Sequence, residues 1–198
     1  MRQFIIIGHE VPTTPDFSLA DTAGGAGRLD VLCRCVTGAF FLSHSIRSDV
    51  RCRVVLSDSY TIRFEGSELR GLHPDERSTA ARIRATLEQR DHAIGQMETN
   101  PSPGVYLSRV GVETTLTNAA EEGTVIQLHE DGQPVGTSDL PSDPVFVLSD
   151  HRDFTETETK LLSEVATQRV RLGPRRLHAD QAITVAHHCL DTNGYTQF

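Results

Sequence analysis

Twice in the last third of this chain an apolar strand runs into a short polar turn and then into a helix, and that pairing limits the fold more than anything else in the sequence. In the first unit Val145-Phe146-Val147-Leu148 breaks into Ser149-Asp150-His151, after which Thr and Glu residues open a helix. In the second, Arg169-Val170-Arg171-Leu172 leads into the turn Gly173-Pro174-Arg175-Arg176-Leu177 and a final helix. In open α/β sheets the carboxyl end of a parallel strand presents free backbone amides and carbonyls to a ligand. Two such turns close together predict an α/β fold with its binding site in the last third.

The rest of the chain supplies the other strands and helices. Gln3 to Ile7 is an apolar run of strand length, and the Pro-, Thr-, Asp- and Gly-rich segment up to Gly27 reads as a long loop. Leu29, Leu32, Val36, Ala39 and Phe40 recur at helical spacing, which predicts an amphipathic helix from Arg28 to Phe41. Val50 to Leu56 and Tyr60 to Phe64 flank the turn-like Ser57-Asp58-Ser59 and are expected to pair. Pro74 opens a second helix with Asp75 and Glu76 in its first turn; Ile83 and Leu87 follow, and the helix ends before Gly95. Asn100-Pro101-Ser102-Pro103-Gly104 is the clearest loop signal and separates an N-terminal half, 1–99, from a C-terminal half, 104–198, of one domain spanning residues 1–198. Beyond it come a strand over Val105 to Leu107, a helix over Val112 to Glu122, and a strand over Val125 to Leu128, with His129-Glu130-Asp131-Gly132 turning the chain. Strands alternating with helices predict a mostly parallel sheet flanked by helices.

Composition removes several classes of function. Hydrophobic residues make up 37% of the chain, and its longest apolar runs are far too short to span a bilayer. No charged and apolar leader opens the sequence, so a cytoplasmic protein with no membrane partner is expected. Cys33, Cys35, Cys52 and Cys189 show no second pair at zinc-ligand spacing and read as reduced structural thiols, with no metal. A net charge of -8 argues against a general nucleic-acid binder. Lys160 is the only lysine, and arginines cluster at Arg28/Arg34, Arg47/Arg51/Arg53, Arg82/Arg84/Arg90 and Arg169/Arg171/Arg175/Arg176. Such clusters suit either a basic groove on an acidic body or salt-bridged surface arginine. An acidic, lysine-poor surface also suits a salt-adapted organism. Ala23-Gly24-Gly25-Ala26-Gly27 lacks the following Lys-Ser or Lys-Thr of a phosphate loop.

The paired terminal units resemble the cofactor half of the knotted SPOUT methyltransferases, which bind S-adenosylmethionine (SAM). Gly27 to Cys35, Phe40 to His44 and Ile46 to Asp49 resemble the N-terminal signature of the archaeal tRNA pseudouridine-54 N1-methyltransferases. Gly66 to Arg70 and Pro74 to Arg77 resemble their second block. The resemblance implies an α/β fold with a C-terminal trefoil knot, a homodimer, an RNA-facing N-terminal half, and SAM-dependent methylation of N1 of pseudouridine 54 in the tRNA T-loop. It places SAM at Leu128, at Ser149 where relatives usually carry glycine, along Leu172, Gly173, Pro174, Arg175, Arg176 and Leu177, and at Ala182 where many relatives have cysteine. Related readings are a ribosomal-RNA pseudouridine N1-methyltransferase and a non-catalytic RNA-binding or ribosome-assembly factor.

Methylating N1 removes a weakly acidic proton, so a carboxylate or a donor at a ring oxygen would assist. Asp30 and Asp150 are the catalytic candidates, and each also reads as a helix cap or an arginine partner, Asp30 especially. Arg28, Arg34 and Arg47 are the candidates for gripping the RNA. His44, His151, His178, His187 and His188 lie near these segments, and without fixed partners they read as surface or cap residues.

Overall fold

The computed structural model describes residues 1–197; Phe198, the last residue of the expected domain, lies outside the described residues. Eight strands form one sheet: β1 Arg2–Gly8, β2 Val50–Leu56, β3 Tyr60–Glu65, β4 Thr99–Ser102, β5 Val105–Ser108, β6 Thr124–Pro134, β7 Pro144–Ser149 and β8 Gln168–Arg171. Five α-helices join them: α1 Leu29–Phe40, α2 Glu76–Leu87, α3 Val112–Glu122, α4 Glu156–Val165 and α5 Ala179–Asp191. The strand order is β4-β5-β3-β2-β1-β7-β6-β8. β2, β1, β7, β6 and β8 run parallel to one another, whereas β3, β5 and β4 extend the sheet in antiparallel pairings.

The sheet is therefore parallel over five of its eight strands and antiparallel over the other three, and tight turns are the reason for the second part. Ser57 and Asp58 both take left-handed backbone, φ 45° and 52°. Two successive left-handed residues make the turn that matches strand twist and sends the chain straight back. The Asn100 to Gly104 punctuation is a second hairpin: Thr99–Ser102 is a strand, and Gly104 turns with φ 72° where a Cβ would lie 2.4 Å from the Leu69 nitrogen. Pro101 is tolerated in β4 because it is an edge strand whose outer N–H groups need no partner. The sheet thus continues across the segment read as a separator.

β1 is an inner strand of the parallel part, between β2 and β7, and explains the two-sided core. Phe4 and Ile6 face one layer and Ile5 and Ile7 the other, all essentially inaccessible to water. Period-2 alternation in a strand buried on both faces gives such an unbroken apolar run. The first layer holds α1, α2 and α5, and the second holds α3 and α4. Each large apolar side chain so buried contributes roughly 1.5–3 kcal/mol. The four cysteines are buried free thiols within the first layer. Desolvation pushes the thiols of Cys35 and Cys52 well up, so they behave as apolar packing.

Two boundaries differ from expectation. Pro74 precedes α2 rather than opening it, because Asp75 is the cap and accepts from the Ser78 N–H at 2.7 Å. His129 to Gly132 does not turn the chain: β6 runs through it as a bulge, and the register against β8 jumps from Leu128↔Val170 to Gln133↔Val170. Gly132 permits the jump, since a Cβ there would meet the Val170 backbone at 2.5–2.7 Å. Among the described residues no helix is long and apolar enough to cross a membrane, and no group of three metal-ligating side chains is found.

Candidate functional site

At the carboxyl ends of β6, β7 and β8, beside the start of α5, lies a cleft of about 380 Å³. Three segments wall it: the β6 bulge from Leu128 to Asp131, the turn from Ser149 to Phe154, and the loop from Leu172 to Leu177. Leu128, Ser149, Leu172, Gly173, Pro174, Arg175, Arg176, Leu177 and Ala182, all nine positions expected from the sequence, line this one cleft. Leu128, Leu148, Val170 and Ala182 give it a buried apolar floor. Arg176 reaches Glu130 at 3.4 Å and also pairs with Asp153, tying the three walls together at the rim. The Ser149 Oγ is buried there without a hydrogen-bond partner. A buried hydroxyl left unsatisfied costs free energy that a polar ligand atom would recover. A Cβ at Gly173 would meet nothing within 4 Å, so steric space does not demand glycine at that position.

The middle wall is held from behind by His9, a residue that motif reading passes over. His9 follows the end of β1, and its ring Nδ1 lies 3.0 Å from the Asp150 Oδ1 while Nε2 lies 3.0 Å from the Glu158 Oε2. Both ring nitrogens face carboxylate oxygens, so both must donate and the ring is an imidazolium. The bonds to Asp150 and then Glu158 outweigh desolvation and raise its pKa to about 10. Asp150 also accepts from the backbone N–H of His9 at 2.9 Å and of Arg152 at 2.8 Å. Burial pushes its carboxyl up, but the His9 and Arg152 bonds together bring it below the usual range. Glu158 closes the capping box of α4 by accepting from the Thr155 N–H at 2.8 Å. One cation thus ties the end of β1, the turn after β7 and the first turn of α4.

Asp150 therefore borders the cleft with its side chain fully buried and its oxygens occupied. His151 Nδ1 stands 3.6 Å from it. Asp30 lies outside the cleft lining, at the start of α1. It accepts from Arg28 Nε at 2.9 Å and Nη2 at 3.1 Å and from Arg34 Nη1 at 2.7 Å. Desolvation acts to raise its pKa, and the two arginines outweigh that and lower it. Arg28 caps α1 in left-handed backbone, φ 65°. Arg34 also approaches Glu76 of α2 at 3.6 Å and Asp180 of α5 at 3.9 Å, one residue from cleft-lining Ala179.

Arg47 is not brought to this place. It precedes β2 at the amino end of the parallel strands, and there it clasps Asp191 at the far end of α5 together with Arg2. His187, buried, contacts the Ala39 carbonyl at 3.0 Å, and burial lowers it to about 4, so it stays neutral at pH 7. His188, its neighbour, is exposed.

A deep apolar-floored cleft walled by loops at the carboxyl ends of parallel strands is the binding geometry of α/β domains that take nucleotide-like cofactors. The family described as "Putative SAM-dependent RNA methyltransferase" matches residues 1–195. Proteins named tRNA (pseudouridine(54)-N(1))-methyltransferase from Haloferax volcanii and Haloarcula marismortui are 65% and 63% identical over all of both chains. One of the same name from Methanococcoides burtonii is 40% identical over 98% of this chain and 97% of its own. A crystal structure of Archaeoglobus fulgidus Nep1 bound to S-adenosylhomocysteine shares the fold, with TM-score 0.67 at 15% identity over 98% of this chain and 99% of that one. The chain belongs to the family of archaeal tRNA (pseudouridine(54)-N(1))-methyltransferases.

Proposed function

We propose that this protein transfers a methyl group from SAM to N1 of pseudouridine 54 in the T-loop of tRNA. The observation that carries the reading is the convergence of the nine cofactor positions on a single cleft in a chain so similar to proteins of that name. When bound, SAM supplies an electrophilic methyl group on a sulfonium sulfur. The cleft suits such a molecule: Leu128, Leu148, Val170 and Ala182 offer an apolar bed for a base, and the Leu172 to Leu177 backbone offers amides and carbonyls to its edge. Ser149 Oγ is free to bond, and Glu130, Asp131 and Asp153 supply acceptors for hydroxyl or ammonium groups.

Each candidate aspartate already accepts three hydrogen bonds that hold it ionised and lower its proton affinity, which makes it a poor base for the N1 proton, so both act by positioning. Asp150 fixes the middle wall through His9. Asp30 aims Arg28 and Arg34, whose N–H groups stabilise charge on the ring oxygens as N1 loses its proton and attacks the methyl carbon, the sulfonium sulfur leaving as the neutral thioether. The family resemblance supports the finer parts of this reading: a trefoil knot threading the C-terminal loops, a homodimer sharing the RNA site, and action in the cytoplasm on folded tRNA.

Two T-arm stem-loop RNAs, identical except for uridine or pseudouridine at the target position, test this with labelled SAM. Label is expected only in the pseudouridine RNA. Transfer to neither with SAM still bound redirects the reading to ribosomal RNA; absence of SAM binding removes the enzyme reading altogether. A Ser149→Leu variant, which fills the floor, should weaken SAM at least about tenfold, roughly 1.4 kcal/mol, with the circular dichroism spectrum unchanged. Calorimetric titration reads it directly.

A further inference from the structure

The three arginines that the sequence suggests for gripping RNA are all ion-paired: Arg28 with Asp30, Arg34 with Asp30, Glu76 and Asp180, and Arg47 with Asp191. A different set carries its charge uncompensated. Arg70, Arg77, Arg82 and Arg84, on and just before α2, reach no carboxylate among the described residues. Arg70 spends its guanidinium on the carbonyls of Ser67 and Leu69, and Arg82 on those of Arg70 and Gly71. Arg77 and Arg84 have no side-chain partner among the described residues. The acidic residues interspersed with them are turned to other tasks: Glu68 to Tyr106, Asp75 to the cap of α2, and Glu76 to Thr22 and Arg34. Glu88 and Asp91 lie beyond the far end of the set.

We infer that this face of α2, with the loop before it, is the surface along which the RNA backbone lies. The inference rests on the methyltransferase reading and extends it to a place the cleft does not reach. Three observations support it. First, uncompensated guanidinium groups on a protein of net charge -8 are where a polyanion finds favourable potential. Second, Arg77 and Arg84 are two helical turns apart on one face, about 10.5 Å along the axis; that is too far to clamp one phosphate and suited to successive phosphates of a strand. Third, α2 begins beside the cleft, since Glu76 adjoins Arg34, and Arg34 adjoins Asp180 at the head of α5. Arg70 and Arg77 also belong to the second signature block, Gly66 to Arg70 and Pro74 to Arg77, which the cofactor cleft leaves without a role. Phosphate contacts of this kind set register and affinity without reading sequence.

The test is the double variant Arg77→Ala/Arg84→Ala of the full chain, whose side chains support nothing inside the protein, with Arg109→Ala as an exposed arginine elsewhere. Dissociation constants for a T-arm RNA are measured across a salt series, with SAM affinity alongside. The expected result is at least tenfold weaker RNA binding for the double variant, and a salt dependence shallower by about 0.7–0.9 in log-log slope for each phosphate left without its arginine. KM for RNA should rise while kcat and SAM affinity hold. Unchanged RNA affinity and slope in the double variant, with the wild type binding and methylating the RNA, overturns the inference. A loss in Arg109→Ala of half or more of the double variant's change in log affinity overturns it too, because the effect would then follow the number of charges removed. A wild type that neither binds nor methylates the RNA removes the methyltransferase reading instead.

Discussion

His9→Leu should destabilise the protein by about 3–5 kcal/mol, the range for removing one partner of a buried ion pair. The substitution leaves Asp150 and Glu158 facing each other, with side chains 0% and 10% exposed and no cation between them. Urea unfolding at pH 7 reads the loss, and a midpoint within experimental error of wild type would contradict the buried clamp. The pH dependence carries the sign. Because His9 is raised from ~6.5 to about 10 by folding, its stabilisation is complete below pH ~6.5 and fades as pH climbs toward 10. Asp150 and Glu158 are lowered by folding, so their share is present above the ordinary carboxylate range and is lost in acid. Wild type should therefore lose stability steadily from pH ~6.5 to about 10, and His9→Leu should show a flatter profile there. SAM affinity should fall with the variant, since the turn from Ser149 to Phe154 is one wall of the cleft.

Gly132→Val should abolish SAM binding and cost about 3 kcal/mol or more, at the upper end for forcing extra atoms into a packed site. Even the first added carbon would lie 2.5–2.7 Å from the Val170 backbone, which has no rotamer to move aside. The bulge and the strand before Leu172 to Leu177 would be pushed apart, displacing two of the three walls at once. Differential scanning calorimetry together with SAM titration checks this; a variant that melts like wild type and still binds SAM would show that the bulge can rearrange.

What can be read from the sequence follows the range of the interactions involved. Leu29, Leu32, Val36 and Phe40 announce α1, and Val145 to Leu148 announce β7, because periodicity and length are local properties. The positions expected for the cofactor come from the family resemblance; most follow the ends of β6, β7 and β8, whereas Ala182 lies in α5 and joins them only through the fold. β4 is hidden because Pro101 denies it the look of a strand, and only its edge position makes that tolerable. The bulge resembles a turn because Asp131-Gly132 is turn chemistry, whereas its true partner, Val170, lies far along the chain. His9 is invisible because its two carboxylates are 141 and 149 residues away. Arg47 shows the same limit from the other side: its charge is plain in the sequence, but the Asp191 that neutralises it is 144 residues distant.

The position of β1 bears on how the protein is made. Its first strand is also an inner strand, with β2 on one edge and β7 on the other. During synthesis β2, β3, β5 and β4 emerge early enough to dock on one side of it. The other edge, Phe4 to Ile7, waits until Pro144–Ser149 leaves the ribosome, about 140 residues later, or roughly 7–30 s at ordinary elongation rates. Through that interval the nascent chain displays an open apolar strand edge of the kind that recruits neighbouring chains. Yield in the cell should therefore depend on translation speed between residues 8 and 144 more than on the stability of the finished fold.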